Sequence, residues 1–219
     1  MKKRLFVMFT IVIGLAIFAS CDTTPEVTPE ATPEAYTTPT RGFWDGNTFI
    51  SEYFGIRLNL PESWHIVPEP WLNYHLPNES VLPGEGARVP QYVFENMGEE
   101  AFFYDMMAVS GSSYMAIQGV MMWIEWFPGE LPLSETYLLQ NIAAQADDVE
   151  EWMFTIKEGS VPIGTYYWHP ADSRIYDENG HPHNALMFVR ADGRFSKTIS
   201  INYHDIEAID EFLNYFEAY

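Results

Sequence analysis

Two histidines separated by one residue, His181 and His183, are the side chains best suited to hold a metal ion. Alternate residues of an extended segment point to the same side, so both imidazoles can meet one ion. Asp177 lies just upstream, and Zn²⁺ accepts a carboxylate as its third ligand. The pattern predicts a metal site here. One alternative is Ca²⁺ on the oxygens of Asp177, Glu178 and Asn179, although their spacing does not follow an EF-hand loop. The other is a polar hairpin tip with solvated histidines and no cofactor.

Tryptophan offers a second chemistry, because the apolar face of an indole ring can stack on a sugar ring. Trp71 lies in a proline-rich stretch and Trp168 is followed by His169, and we expect both tryptophans at the surface. The candidate ligand-binding side chains are Trp71, Trp168, His169 and Asp177. The alternative for most of the tryptophans is burial in the core.

No sequence motif of catalysis is complete in this chain. The Gly-x-Ser-x-Gly elbow, the His-Glu-x-x-His pair and a glycine-rich phosphate loop are absent. We therefore expect a non-catalytic binding or interaction module and not an enzyme. The alternatives are a metal-dependent hydrolase that uses His181 and His183, and a carbohydrate-binding module that uses an exposed tryptophan.

The chain that must position these residues begins with an export signal. Basic residues 2–4 precede an apolar run over residues 5–19, which is shorter than the roughly 20 residues of a membrane helix. Phe18-Ala19-Ser20-Cys21 resembles the lipobox of bacterial lipoproteins, which are cut before a lipidated cysteine. The resemblance implies that residues 1–20 are removed and that Cys21 is acylated. A lone cysteine agrees, because it has no disulfide partner. The alternative is a secreted protein with a free thiol at Cys21.

Residues 21–42 repeat Thr-Pro-Glu and should form an extended linker, because prolines and repelling glutamates cannot build a core. Removal of Lys2, Lys3 and Arg4 reduces the 11 basic residues to 8 against 31 acidic ones, a net charge of −23. Such a charge repels nucleic acid and anionic lipid, so the acyl group is the expected membrane contact. We expect the protein on the extracytoplasmic face of the cell membrane, with an envelope protein, a glycan or a cation as its partner.

Residues 43–219 are long enough for one domain with its own core. Hydrophobic spacing and turn residues predict a hairpin over 47–67, a proline-rich surface loop over 68–90, strands near 101–109 and 114–127, a helix from Ser134 to about Glu151, strands near 153–157, 162–169, 185–191 and 194–203, and a helix from Asp205 to the C-terminus. This order predicts the α+β class, with an antiparallel sheet covered by helices.

Three segments carry a resemblance to a known family. They are Gly42-Phe43-Trp44-Asp45-Gly46-Asn47, Phe54-Gly55-Ile56 and Pro61-Glu62-Ser63-Trp64. They resemble small lipoproteins of Gram-positive bacteria, especially clostridia, whose domain looks like the PsbP-like or Mog-like α/β/α sandwich. The resemblance implies an early helix, which the prolines of 68–90 would displace toward residues 91–97. It implies no activity, because a fold does not determine a function.

Overall fold

The computed structural model describes residues 38–73, 82–97, 102–110, 118–127, 134–147, 149, 152–176, 180–203 and 207–219. Contacts divide the chain into Met1–Ala35 and Tyr36–Tyr219, and every element below belongs to the second unit. The expected signal peptide, Cys21 and most of the expected linker lie outside the described residues. The description therefore concerns the domain that follows them.

A small sheet unites the two ends of the domain. Its order is β1 (Phe43–Asp45), β2 (Thr48–Ser51), β3 (Ile56–Asn59) and β12 (Phe216–Ala218), all antiparallel. The pair β2–β3 confirms the predicted hairpin, and Gly55 makes its turn with φ 69°. Alternation along β3 buries Ile56 and Leu58, as the strict pattern of apolar and polar residues predicts.

A larger antiparallel sheet of eight strands forms the rest of the scaffold. Seven strands follow one path, in the order β4 (Trp64–Ile66), β5 (Phe102–Ser110), β6 (Gly119–Trp126), β11 (Phe195–Tyr203), β10 (Pro182–Asp192), β9 (Tyr166–Tyr176) and β7 (Trp152–Ile156), while β8 (Val161–Ile163) pairs with β9 off this path. The tight turn predicted at Asp192-Gly193 joins β10 to β11. Each predicted strand after the first hairpin has a counterpart.

Four short helices complete the described structure: α1 (Glu69–Leu72), α2 (Gln91–Met97), α3 (Glu135–Asp147) and α4 (Glu207–Leu213). Ser134 begins α3 as predicted, since its Oγ accepts a hydrogen bond from the Tyr137 backbone N–H at 3.2 Å. α2 occupies the residues expected for the displaced early helix. None of the helices in the described part of the chain is long and apolar enough to span a bilayer.

Several predicted elements have different bounds. α3 ends at Asp147 and not near Glu151, and the stretch 68–90, which was expected to be a loop, contains α1. The single strand expected over 162–169 is wrong, because a turn at Gly164 (φ 61°) divides it into β8 and β9. The helix expected to reach the C-terminus is also wrong beyond Leu213. There β12 pairs with β3, Phe216 opposite Leu58, and the edge of a distant hairpin supplies its backbone hydrogen bonds.

The core lies on both faces of the large sheet. Neighbouring residues of β10 point to opposite faces, so Phe188 and Val189 belong to different apolar clusters. Val189 packs with Leu138 and Leu139 of α3. Phe188 belongs to the larger cluster, which includes apolar side chains of the small sheet, α2 and α4. The described structure is thus mostly antiparallel sheet with four short helices.

Candidate functional site

Trp71 is the most exposed large apolar side chain of the described residues, at 68 %. It lies on α1, a single helical turn inside the stretch that was expected to be a loop. Pro68 precedes this turn and Pro70 stands in its first residues, where the fixed φ of proline suits a helix start. The prediction of a surface position for Trp71 is confirmed.

Both ends of α1 are held by contacts with neighbouring elements. Glu69 forms an ion pair with Arg41, which is buried. Asn73, just after the helix, donates from Nδ2 to the Tyr104 carbonyl (3.1 Å) and accepts from the Tyr104 N–H (3.0 Å). The Asn73 side chain thus replaces a neighbouring strand at this edge of β5. The Trp71 backbone lies between two fixed points.

Trp168 is a core residue, and its predicted surface position is wrong. Its side chain is completely buried, stacks on Phe54 with ring centroids 6.0 Å apart, and donates from Nε1 to the Ile163 carbonyl at 3.1 Å. The physical reason is alternation along β9. Trp168 faces the cluster beneath the small sheet, whereas its neighbour Tyr167 points outward and is 65 % exposed.

His169 does not join the other two histidines. It is partly buried opposite Val189, and its Nδ1 is buried with no hydrogen-bond partner among the described residues. His183 pairs with Ile175, six residues further along β9. At ~3.3 Å per residue the two histidines are about 20 Å apart along the sheet. One ion therefore cannot bind both.

His181 and His183 are exposed where β10 begins. Asp177, the predicted third ligand, lies outside the described residues. Within the described ranges, no group of three or more His, Cys, Asp or Glu side chains is placed to hold a metal ion. The predicted metal site stays a hypothesis that rests on sequence alone.

A buried carboxylate, Asp105, anchors the segment before β1. It interrupts the register of β5 at a bulge next to Tyr104, and both its oxygens accept from the Gly42 N–H at 3.0 Å. The Arg41 Nε lies 3.7 Å from it. Burial raises the pKa of Asp105 to about 6, against the lowering effects of the Gly42 N–H and the Arg41 charge. This carboxylate therefore holds residues 41 and 42 against the large sheet.

A buried lysine, Lys197, joins the large sheet to the small one. Its Nζ donates to the Tyr53 carbonyl at 2.6 Å and to Asp192 Oδ2 at 2.9 Å, and it lies 3.9 Å from the centroid of the Tyr53 ring. Burial lowers the pKa of Lys197, and Asp192 opposes this shift. Tyr53 belongs to the turn between β2 and β3, so this ammonium group ties that turn to β11.

Aromatic rings close the space around Lys197. Tyr166 lies 5.0 Å from its Nζ, and the Arg190 guanidinium covers the Tyr166 ring at 4.4 Å. Burial raises the pKa of Tyr53 further above its ordinary value, with the charge of Asp192 acting in the same direction. Lys197 is 1 % exposed. A substrate has no access to such a side chain, so the cluster acts in packing.

The opposite face of the large sheet carries a strip of aromatic and polar side chains. Trp123 lies between Tyr104 and Thr198 in the strand register, and the Tyr104 and Trp123 rings meet edge to face at 6.3 Å. Beside them burial raises the pKa of Glu125, which a hydrogen bond with Ser196 partly offsets. A carboxyl group in this state holds its proton longer than an exposed one as the pH rises.

Two of these buried groups were missed in the sequence, although a signal exists for each. Lys197 has the same parity as Phe195 and Ile199, so alternation along β11 already places it on an apolar face. Asp105 is the one charged residue within the apolar run of β5. A charge at a core position of a strand pattern indicates a buried ionic contact.

Comparison with known proteins adds a likeness of fold. No protein-family model matches the sequence, and no curated protein is detectably similar to it. The solution structure of cyanobacterial PsbP (CyanoP) from Synechocystis sp. PCC 6803 is similar to this chain, with 9 % sequence identity and a TM-score of 0.44, over 87 % of this chain and 98 % of that one. At this identity and score, the likeness says nothing about ligand or activity.

Proposed function

We propose that this protein is a membrane-anchored extracytoplasmic lipoprotein and that its domain is a non-catalytic binding module with Trp71 as a contact residue. One observation carries the proposal: an indole that is 68 % exposed stands on a helical turn whose two ends are fixed by Glu69 and Asn73. Trp168 is completely buried, so the core of this domain can hold a tryptophan. Trp71 lies outside that core, and its side chain therefore contributes little to folding.

An exposed tryptophan on a fixed support is well suited to binding. Tryptophan is enriched among the residues that dominate binding energy, because it buries a large apolar area and can also donate a hydrogen bond. Fixing the backbone before binding reduces the entropy lost when the partner arrives. The contacts of Glu69 and Asn73 serve this purpose for α1.

The membrane anchor in this proposal is supported by the sequence. Cys21 follows a short apolar run and small residues, and it is the single cysteine of the chain. We also infer a PsbP-like α/β/α sandwich, in which α3 covers one face of the large sheet while α2 and α4 lie with the small sheet on the other. The location on the outer side of the membrane follows from export.

Photo-crosslinking in intact cells tests the role of Trp71. A photoreactive amino acid at position 71 should give a discrete crosslinked product, because a partner that stacks on the indole comes within reach. The matched control is position 92 on α2, where Tyr92 is 57 % exposed. Equal crosslinking at both positions, or none at position 71, would contradict the proposal. Unfolding of Trp71→Ala, which should change stability by less than about 0.5 kcal/mol, verifies that the domain stays folded.

A further inference from the structure

β7 is the last strand of the large sheet in the part of the chain that the structure describes, and Phe154 on one of its faces packs with Leu138 and Leu139 of α3. β7 pairs with β9 along one edge, and no described strand pairs with its other edge. Its five residues, Trp-Met-Phe-Thr-Ile, include no charge and no proline. Edge strands are usually protected by such residues, by bulges or by a covering element, because unpaired backbone groups recruit other strands.

The side chains around this edge are more exposed than apolar side chains usually are. Met153 is 56 % exposed and Ile156 is 42 % exposed, and Ile175 on the neighbouring β9 is 46 % exposed. Trp152 and Ile175 are opposite each other in the register, so they share one face of the sheet. Ile156 lies on that face as well and Met153 on the other, so exposed apolar side chains flank this edge on both faces of the sheet.

The register shows which backbone groups point away from the sheet. The Lys157 N–H donates to the Pro170 carbonyl at 3.0 Å, which makes residue 157 a hydrogen-bonded partner of β9. Bonding alternates along an antiparallel pair, so Phe154 and Ile156 direct their N–H and C=O groups outward. Trp152 offers its carbonyl, since its N–H already donates to the Val149 carbonyl at 2.9 Å.

We propose that β7 pairs antiparallel with β7 of a second copy of this chain, about a twofold axis at Phe154. The two Phe154 residues then exchange both backbone hydrogen bonds. Ile156 of each copy donates to the Trp152 carbonyl of the other. Met153 of one copy lies opposite Thr155 of the other, and the two large sheets become one continuous sheet.

The strand favours a second copy because it is complementary to itself in this register. Trp152, Phe154 and Ile156 share one face, so apolar side chains meet apolar side chains across the axis. A twofold contact of this kind closes after two copies. The strand is about 17 Å long, so the interface is small and the dimer depends on concentration. This inference goes beyond the proposed function and does not depend on Trp71.

Cysteine pairs in intact cells test the register. Opposite residues at a non-hydrogen-bonded position have Cα atoms about 4.5 Å apart, which a disulfide can span. Cells that express Met153→Cys and Thr155→Cys chains together should yield several-fold more disulfide-linked dimer after mild oxidation than cells with either variant alone. In a dimer of one variant, the two cysteines would be diagonal neighbours with Cα atoms about 8 Å apart, which is too far for a disulfide. The wild-type chain, with Cys21 as its one cysteine, is the background. Equal yields from the single variants and the mixture, or linkage to a different protein only, would overturn the proposal.

Charge pairs across the axis give a second test that does not need a disulfide. Met153→Lys combined with Thr155→Lys puts like charges opposite each other twice and should abolish the dimer. Met153→Lys combined with Thr155→Glu puts opposite charges at the same two places and should retain it. Both double variants change exposed positions of β7, so both chains should fold. Identical behaviour of the two, measured by chemical crosslinking of the full chain in membranes, would overturn the pairing.

Discussion

Asp105 and Lys197 are charged side chains that lie where water does not reach them. Each is compensated locally: Asp105 by the Gly42 N–H and Arg41, and Lys197 by the Tyr53 carbonyl and Asp192. Removing one member of a buried ionic contact leaves the other without a partner, which is expensive. These residues therefore specify how the segment before β1 and the turn after β2 dock on the large sheet.

The pH dependence of stability should reveal Asp105. Its pKa is about 6 in the folded protein, against an ordinary value of 3.8 for an exposed carboxyl, so the folded state holds the proton more tightly. The free energy of unfolding should fall as the pH rises from about 4 to 6, by on the order of 3 kcal/mol, relative to Asp105→Asn. Below and above this window the two proteins should differ by a constant amount.

Urea unfolding at several pH values, followed by tryptophan fluorescence, measures this difference. Asp45→Asn on β1 is the control, because Asp45 is exposed. The free energy of unfolding of Asp45→Asn should change with pH in the same way as that of the wild-type protein. Parallel curves for Asp105→Asn as well would show that Asp105 binds its proton no more tightly in the folded state.

Among the elements, the turn between β8 and β9 decides where the small sheet meets the large one. The Gly55 carbonyl accepts from the Thr165 N–H at 2.8 Å and from the Tyr219 N–H at 3.3 Å. Gly164 lies directly against this carbonyl, so a β-carbon at position 164 would overlap the carbonyl oxygen and approach Ile56 Cγ2 to 2.6 Å. Gly55, Thr165 and Tyr219 can meet at this point because Gly164 has no side chain.

Gly164→Ala should therefore destabilise the domain more than another glycine substitution with the same backbone requirement. Gly159 also has a positive φ, 84°, but a β-carbon there would meet none of the described atoms within 4 Å. We expect Gly159→Ala to cost about 1 kcal/mol and Gly164→Ala at least ~2 kcal/mol more, because overlap adds to the backbone strain. Thermal or urea unfolding gives both values. Equal losses would mean that the turn can move away from Gly55.

At the scale of the whole molecule, the proposed arrangement is an acidic domain on a Thr-Pro-Glu linker behind a lipidated residue. Each buried methylene of an acyl chain adds ~0.8 kcal/mol to membrane affinity, so two or three chains anchor a protein stably. The net charge of −23 after signal removal gives the domain no electrostatic attraction to anionic lipid. Cys21 alone should then determine membrane association.

Cys21→Ala should move the protein from the membrane fraction to the soluble extracytoplasmic fraction. Ser20→Ala is the control, because it keeps a small residue before the cut and should leave the protein in the membrane. Cell fractionation with immunodetection measures both. Retention of Cys21→Ala in salt-washed membranes, or a mass for the mature wild-type chain without acyl groups, would contradict the anchor.

The sequence was sufficient to predict the elements that depend on residues close together in the chain. The β2–β3 hairpin, the Ser134 cap of α3 and the turn at Asp192-Gly193 were predicted because alternation, capping and turn residues act over short distances. The same reasoning placed Trp71 outside the core. It failed for the C-terminus, where β12 forms by pairing with β3 more than 150 residues away.

The sequence by itself determined most of the strands, the start of α3, the acidic charge and the candidate anchor at Cys21. The tertiary structure decided which side of each strand is buried, and so put Trp168 in the core. It also brought Lys197 to Tyr53 and left the outer edge of β7 without a described partner. The reason is that burial depends on which surfaces meet, and the residues that meet here lie far apart in the chain.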